Sequence, residues 1–260
     1  MTARPTVTGH RPVGDAPDPS DWVWSQRWRD LLFLHWRVAP DDVRPRLPYG
    51  LEPDTRDGTA WVSLVLFRLK LRRRGLPFLP GLASMTEVNV RTYVRCGGRA
   101  GVYFLSIHAD NAVAARLARW LTPLPYRSAR MTYRRRGRGF AFGASASAGL
   151  EFVPGVARRT PAGESVDAWL LERYRAFDRT VRSGPVCATV AHPRWVVRDV
   201  EMIGPSDRTV TLWPGTPIRP PDLAHFADGV DARFGRFAPV GGIQPMTNDA
   251  NLSTFTCSGG

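Results

Sequence analysis

Glu87, Asn89 and Arg91 occupy alternate positions in the stretch EVNVRTYVRC, with Val88, Val90, Thr92 and Val94 in the intervening places. A strand with this pattern sends the three polar side chains to one face. A second polar set lies in LTPLPYRSARMTYRR, residues 121–135, which carries Tyr126, Arg127, Ser128 and Arg130. An arginine pair can hold a carboxylate through two parallel hydrogen bonds, and a glutamate whose pKa is raised by burial can exchange a proton near neutrality. The two stretches therefore predict a cavity for a small organic acid. Glu87 is the candidate acid or base, and Arg91, Tyr126, Arg127, Ser128 and Arg130 are the candidate ligand-binding residues. A plainer account is that Glu87 and Arg91 pair with charged neighbours across a sheet. His35, beside Trp36 in LLFLHWRV, is a weaker candidate: it could shuttle protons, although a neutral core imidazole donating to a backbone carbonyl is the preferred reading.

Other chemistries lack their signatures. The five histidines include no HExxH pair, so no metal site is expected, and there is no GxSxG elbow or P-loop. The run GRGFAFGASASAG lacks the GxGxxG spacing of a dinucleotide loop, and no cofactor is expected. Cys96, Cys187 and Cys257 are far apart and odd in number, which argues against a disulfide scaffold.

The 260 residues carry a formal charge of +13, which points to an anionic partner. All but one of the 36 basic residues are arginine, the exception being Lys70, so part of this charge reflects a compositional bias. KLRRR at 70–74 and RRRGR at 134–138 lack the neighbouring aromatics or reading helix of a dedicated nucleic-acid binder. A low-specificity nucleic-acid binder through these patches remains a third reading, behind an enzyme or vestigial enzyme and a non-catalytic small-ligand-binding protein. No membrane span or signal-type apolar run is present, and a cytoplasmic location is the default expectation. Association into a homo-oligomer is left open.

The elements that must position these residues follow from periodicity. Residues 1–21 read as a flexible arm and 241–260 as a disordered tail, leaving 22–240 as one domain. WVWSQRWRDLLFLHWRV is ambiguous between helix and strand but ends strand-like; PDDVRP opens a short helix with Asp41 and Asp42 in its first turn. TAWVSLVLFRLKL at 59–71 predicts a strand apolar on both faces, followed by a loop through Gly75, Pro77, Pro80 and Gly81. EVNVRTYVRC and VYFLSIHA predict strands, and Asp110 is placed to cap a helix over NAVAARLARWL. RMTYRR, GFAFGASASAGLEFVP, ATVAHPRWVVRDVEMI and DRTVTLWPG are strand-like, while SVDAWLLERYRAFDR at 165–179 reads as the clearest helix, with Ser165 as its cap. Many strands and few helices indicate an α+β barrel or sandwich.

With these stretches in view, the chain resembles the YqjF-like family of uncharacterised proteins, within the acetoacetate-decarboxylase-like fold group. The resemblance rests on WRDLLFLHW at 28–36, LPYGLEPDTRDGTAWVSLVLF at 47–67, EVNVRTYV at 87–94, GVYFLSIHADNAVAARLAR at 101–119, LPYRSARM at 124–131, WLLERYRAF at 169–177 and VAHPRW at 190–195. It implies a single domain whose highly curved antiparallel sheet forms a barrel-like cavity. In decarboxylases of this fold, a lysine forms a Schiff base with a β-keto acid and a neighbouring lysine depresses its pKa. The corresponding stretch here, LPYRSARM, has Arg127 and Ser128 and no lysine, and a guanidinium cannot form the imine. Glu87 is the residue the resemblance carries over, as a glutamate on a pocket-facing strand.

Overall fold

The computed structural model describes residues 22–75, 84–144, 150–180, 184–203 and 219–241. The N-terminal arm, the loop from 76 to 83, DRTVTLWPG and the expected tail beyond Gly241 lie outside the described residues. In chain order, β1 (Trp24–Val38) leads to α1 (Pro40–Val43), a 3-10 turn at Arg44–Arg46, β2 (Glu52–Pro53), β3 (Ala60–Arg73), β4 (Ser84–Cys96) and β5 (Arg99–Ala109). Helix α2 (Ala112–Leu121) precedes β6 (Tyr126–Ser128), β7 (Met131–Arg136), β8 (Gly139–Ala144) and β9 (Leu150–Pro154). Helix α3 (Val166–Leu171) precedes β10 (Arg175–Thr180), β11 (Gly184–Ala191), β12 (Arg198–Met202), β13 (Leu223–Phe234) and β14 (Ala238–Pro239).

The sheet runs in the order β14, β11, β10, β5, β4, β3, β1, β13, β12, β9, β8, β7, with β2 added to β4 and β6 to β5. The class is α+β, but the expected antiparallel sheet forming a barrel-like cavity is corrected on two counts. The path is open, ending at β14 and β7, and β11 meets β13 over only the pairs Val190 with Phe234 and Ala191 with Arg233. The sheet is also mixed, since β5 pairs in parallel with both β10 and β6. The cause lies in the connections: each of those strands returns to β5 after a crossover that includes α2, and parallel pairing requires such a crossover. At the β7 edge, Arg134, Arg135 and Arg136 are exposed, Arg136 pairing with Glu151 and Arg135 lying over the Phe140 ring. Charge along an open edge discourages pairing with another chain.

Both faces of the central strands are covered, which explains their nearly continuous apolar runs. Leu32, Leu34 and Trp36 of β1 pack on one side with Leu64 and Leu66 of β3, Val88 and Val90 of β4, and Phe140, Phe152 and Phe226. Leu31, Phe33, Val65, Phe67 and Leu69 face the other way, toward Ala114 and Ala115 of α2 and toward Trp195. Glu87, Asn89 and Arg91 share this second side. The polar face read from the sequence of β4 is therefore real, but it is interior: Glu87 and Asn89 are each 4% exposed.

Two local expectations are corrected. Asn111, not Asp110, caps α2 by accepting from the Ala114 N–H at 3.0 Å; Asp110 accepts from the Thr86 N–H at 2.8 Å and ties the start of β4 to the end of β5. Ser165 caps α3 as expected, accepting from Ala168 N–H at 3.1 Å, yet the helix stops at Leu171 instead of continuing to 179. Residues from Arg175 onward pair with β11 and β5, burying Phe177 completely. Trp195 fixes the turn between them: its ring N–H donates to Leu171 O at 2.9 Å and its backbone N–H to Glu172 Oε1 at 3.0 Å.

Candidate functional site

A pocket of about 480 Å³ opens on the second side of the sheet. Its floor follows the strand register. Phe33 of β1 lies beside Val65 of β3, Val65 beside Asn89 of β4 and Asn89 beside Ile107 of β5, and all four line the pocket. In the next row Phe67 lies beside Glu87. Tyr126 comes from β6, paired alongside Ile107, while α2 forms one wall and Leu171, Arg173, His192 and Trp195 form another.

Glu87 accepts from the Tyr126 hydroxyl through Oε2 and from the Asn89 side-chain amide through Oε1, both at 3.1 Å. Burial disfavours its charged form and pushes its pKa up to about 7, although both hydrogen bonds pull the other way. Burial, followed by the adjacent carboxylate, raises the Tyr126 phenol well above its ordinary value. Tyr126 therefore remains a donor while Glu87 exchanges protons near neutral pH. Removing that donor in Tyr126→Phe should move the Glu87 titration above about 7, as followed by carbon NMR of labelled glutamate; an unchanged midpoint would contradict the assignment.

Four arginines line the same pocket: Arg73 and Arg236 are exposed, whereas Arg91 is partly buried and Arg173 buried. Arg173 is almost fully buried; its Nη1 donates to Asp54 Oδ2 at 2.7 Å and its Nε to Trp169 O at 2.6 Å. Its carbon lies 4.1 Å from the Trp169 ring centre and 5.1 Å from that of Tyr93. Burial lowers the Arg173 pKa and Asp54 opposes that shift, but a guanidinium remains charged at neutral pH. Arg91 lies over the Phe33 ring at 5.8 Å and has no carboxylate partner among the described residues. Arg91 Nε and Arg173 Nη2 are buried without a hydrogen-bond partner among the described residues, as is Asn89 Oδ1. Buried polar atoms of this kind are uncommon and call for a partner that the described residues do not supply.

The aromatic wall is built from Trp28, His192 and Trp195. Trp28 and Trp195 stack 6.2 Å apart at 7°, and His192 lies 4.9 Å from Trp195. His192 Nδ1 is 2.8 Å from Pro193 O, so that nitrogen carries the proton, and burial lowers the ring's pKa.

The structure separates the sequence candidates. Glu87, Arg91 and Tyr126 converge on the pocket, joined by Asn89. Arg127, Ser128 and Arg130 do not line it and are exposed. Alternation along β6 turns Tyr126 inward and Arg127 outward beside His108, whose pKa falls through burial and that charge; Ser128 and Arg130 lie beyond the pocket end. His35 also lies outside the lining, fully buried, with Nδ1 2.7 Å from Ser63 Oγ and Nε2 unpartnered. Burial, then the charges of His225 and Arg91, holds its pKa well below the ordinary value, so it is a neutral core imidazole bonded to a side chain, not to the expected carbonyl. Neither Arg173 nor His192 was a candidate for the acid pocket in the sequence, because their segments read as a continuing helix and a continuing strand. Their available signals were the polar residues flanking Trp169 and Trp195.

The sole lysine, Lys70, is exposed near the end of β3 and does not line this pocket. Among the described residues no group of three or more His, Cys, Asp or Glu side chains could hold a metal ion, and no helix is long and apolar enough to cross a membrane.

Residues 25–231 match the profile of DUF2071, described as an uncharacterized conserved protein. The chain belongs to this family. It is 35% identical over 221 residues to the uncharacterized protein YqjF of Bacillus subtilis (strain 168), a match covering 82% of this chain and 90% of that protein. The YqjF-like resemblance read from the sequence therefore holds. Among solved structures, the DUF2071 chain is similar to the enduracididine biosynthesis enzyme MppR complexed with pyruvate, with a TM-score of 0.57 at 15% identity over 87% of this chain and 93% of that one. It is also similar to acetoacetate decarboxylase from Legionella pneumophila, with a TM-score of 0.55 at 14% identity over 92% and 98%. At such identities these likenesses establish an acetoacetate-decarboxylase-like fold.

Proposed function

We propose that this DUF2071 protein binds a small organic acid in the pocket over β4, with Arg91 and Arg173 holding the carboxylate and Glu87 exchanging a proton with the ligand. The observation that carries this reading is that Arg91 and Arg173, each with a buried donor that has no partner among the described residues, line the same pocket. A carboxylate supplies acceptors for both and balances the charge of Arg91, which no acidic side chain meets among the described residues. Asp54 pairs with both Arg173 and Arg95, so the arginines around the pocket are not fully neutralised and favour an anion. That a neighbour in fold is described as complexed with pyruvate makes a keto acid a reasonable first probe.

The chemistry differs from imine formation. Lys70, the only lysine, is exposed and outside the pocket, so incubation with pyruvate and borohydride should leave no reduced adduct at Lys70 on peptide mapping. What the pocket can offer is proton transfer: Glu87 changes protonation state near pH 7, with Tyr126 and Asn89 fixing its orientation. Like-charge repulsion gives the direction of the pH dependence, since an anion binds better to neutral Glu87 and its affinity should fall as pH rises through about 7.

Calorimetric titration of pyruvate and butanoate into wild-type and Arg91→Gln protein tests the reading. Loss of a charge-assisted hydrogen bond should weaken binding by roughly 10- to 100-fold. Equal affinity in the two proteins would refute a carboxylate at Arg91.

A further inference from the structure

The inner polar groups of the pocket come from β4, β6 and the wall after α3; Gln26, Arg73, Thr122 and Arg236 also line it, and the rest of the lining is mainly apolar. Building on the carboxylate reading, we propose that the acid carries an extended aliphatic tail, which lies along α2 toward a mouth formed by the ends of β1 and β3.

Helix α2 provides the first argument. Ala114, Leu117, Ala118 and Leu121 line the pocket at spacings of three, four and seven, which is one helix face. Leu117 is 42% exposed and Leu121 37%, so this face meets pocket space where a packed helix would meet other side chains. Across from it lie Trp24 at the start of β1 and Leu71 near the end of β3, both half-buried, and Phe67 deeper in. A largely apolar channel therefore leads from Glu87, which is buried, and Arg91, which is partly buried, toward the strand ends, where Gln26 and Arg73 also line it.

Size provides the second. A pocket of about 480 Å³ falls within the range of roughly 300–1,000 Å³ that accommodates drug-sized molecules. A three-carbon acid at Arg91 and Arg173 would leave most of that volume as water against leucine and tryptophan, whereas a tail removes this apolar surface from water. The direction follows from burial: Arg73 and Arg236 also line the pocket but are exposed, whereas Arg91 and Arg173 carry buried donors, so the carboxylate is placed there and the tail along α2.

The test is calorimetric titration of straight-chain acids from butanoate to decanoate, with 1-octanol as a neutral control. Affinity should rise about four-fold per methylene until the channel is full, and Arg91→Gln should weaken every acid by a similar factor without altering this increment. Leu117→Gln, at a half-exposed position that tolerates a polar side chain, should weaken decanoate at least ten-fold more than butanoate. If short acids bind in an Arg91-dependent way with no gain from length, the tail is refuted while the carboxylate site stands. If no acid of any length binds, the carboxylate reading fails and the tail with it. Octanol binding as tightly as octanoate would overturn the acid as the ligand.

Discussion

Glu87→Gln should stabilise the protein at pH 8 by on the order of 3 kcal/mol and leave its stability nearly unchanged at pH 4.5, because burial moves the Glu87 pKa from 4.5 to about 7. In the folded protein Glu87 holds its proton up to about 7, whereas in the unfolded chain it releases the proton near 4.5. Between these values the folded state binds more protons, so stability declines as pH rises, and above about 7 the full cost of a buried carboxylate is present. Below 4.5 both states are protonated and Glu87 contributes no pH dependence. Glutamine keeps the shape without the charge, so urea unfolding from pH 5 to 8 should show the two proteins diverging as pH rises. A difference that stays constant with pH would mean that Glu87 is not the buried acid described here. A group retained at such a stability cost at neutral pH is the signature of a site adapted for function more than for folding.

Asp54→Ala is expected to cost about 3–5 kcal/mol, because it leaves Arg173 buried and charged without its partner. Asp54 also pairs with Arg95 at 2.7 Å, but Arg95 is half-exposed and water can replace that contact. Combining Asp54→Ala with Arg173→Met removes both charges, so the double variant should be more stable than Asp54→Ala alone. Thermal unfolding of the three variants checks this, and purely additive losses would contradict an energetically coupled pair. The ion pair also has a role in the site: by accepting from Nη1, Asp54 fixes the Arg173 guanidinium in the pocket lining.

Much of the frame was legible in the sequence because it depends on local alternation. Val88, Val90 and Val94 against Glu87, Asn89 and Arg91 located the pocket floor, and PDDV was read correctly as a short helix. The misreadings arise where partners distant in sequence decide. WLLERYRAF has helical spacing, but Phe177 is drawn into a parallel pairing with Tyr103, and the turn this forces brings Arg173 into the pocket. Strand β13 was not singled out, because Gly229, Asp228 and Asp231 interrupt its apolar pattern. At Gly229 φ is 152° and an added Cβ would lie 2.3 Å from Trp28 O, so the glycine serves the neighbouring strand. Arg127 and Ser128 were drawn into the candidate site by the clustering of polar residues in their segment, but strand alternation directs Tyr126, and not Arg127, into the pocket. The openness of the sheet depends on strand order, which no single stretch of sequence encodes.

The central claim is a carboxylate at Arg91 and Arg173, and a crystal structure of the protein with octanoate tests it most directly. The expected result is carboxylate oxygens about 2.7–2.9 Å from Arg91 Nε and Arg173 Nη2, with the chain directed along Leu117 and Leu121. Octanoate bound at the exposed Arg127 and Arg130, with no density over β4, would contradict it.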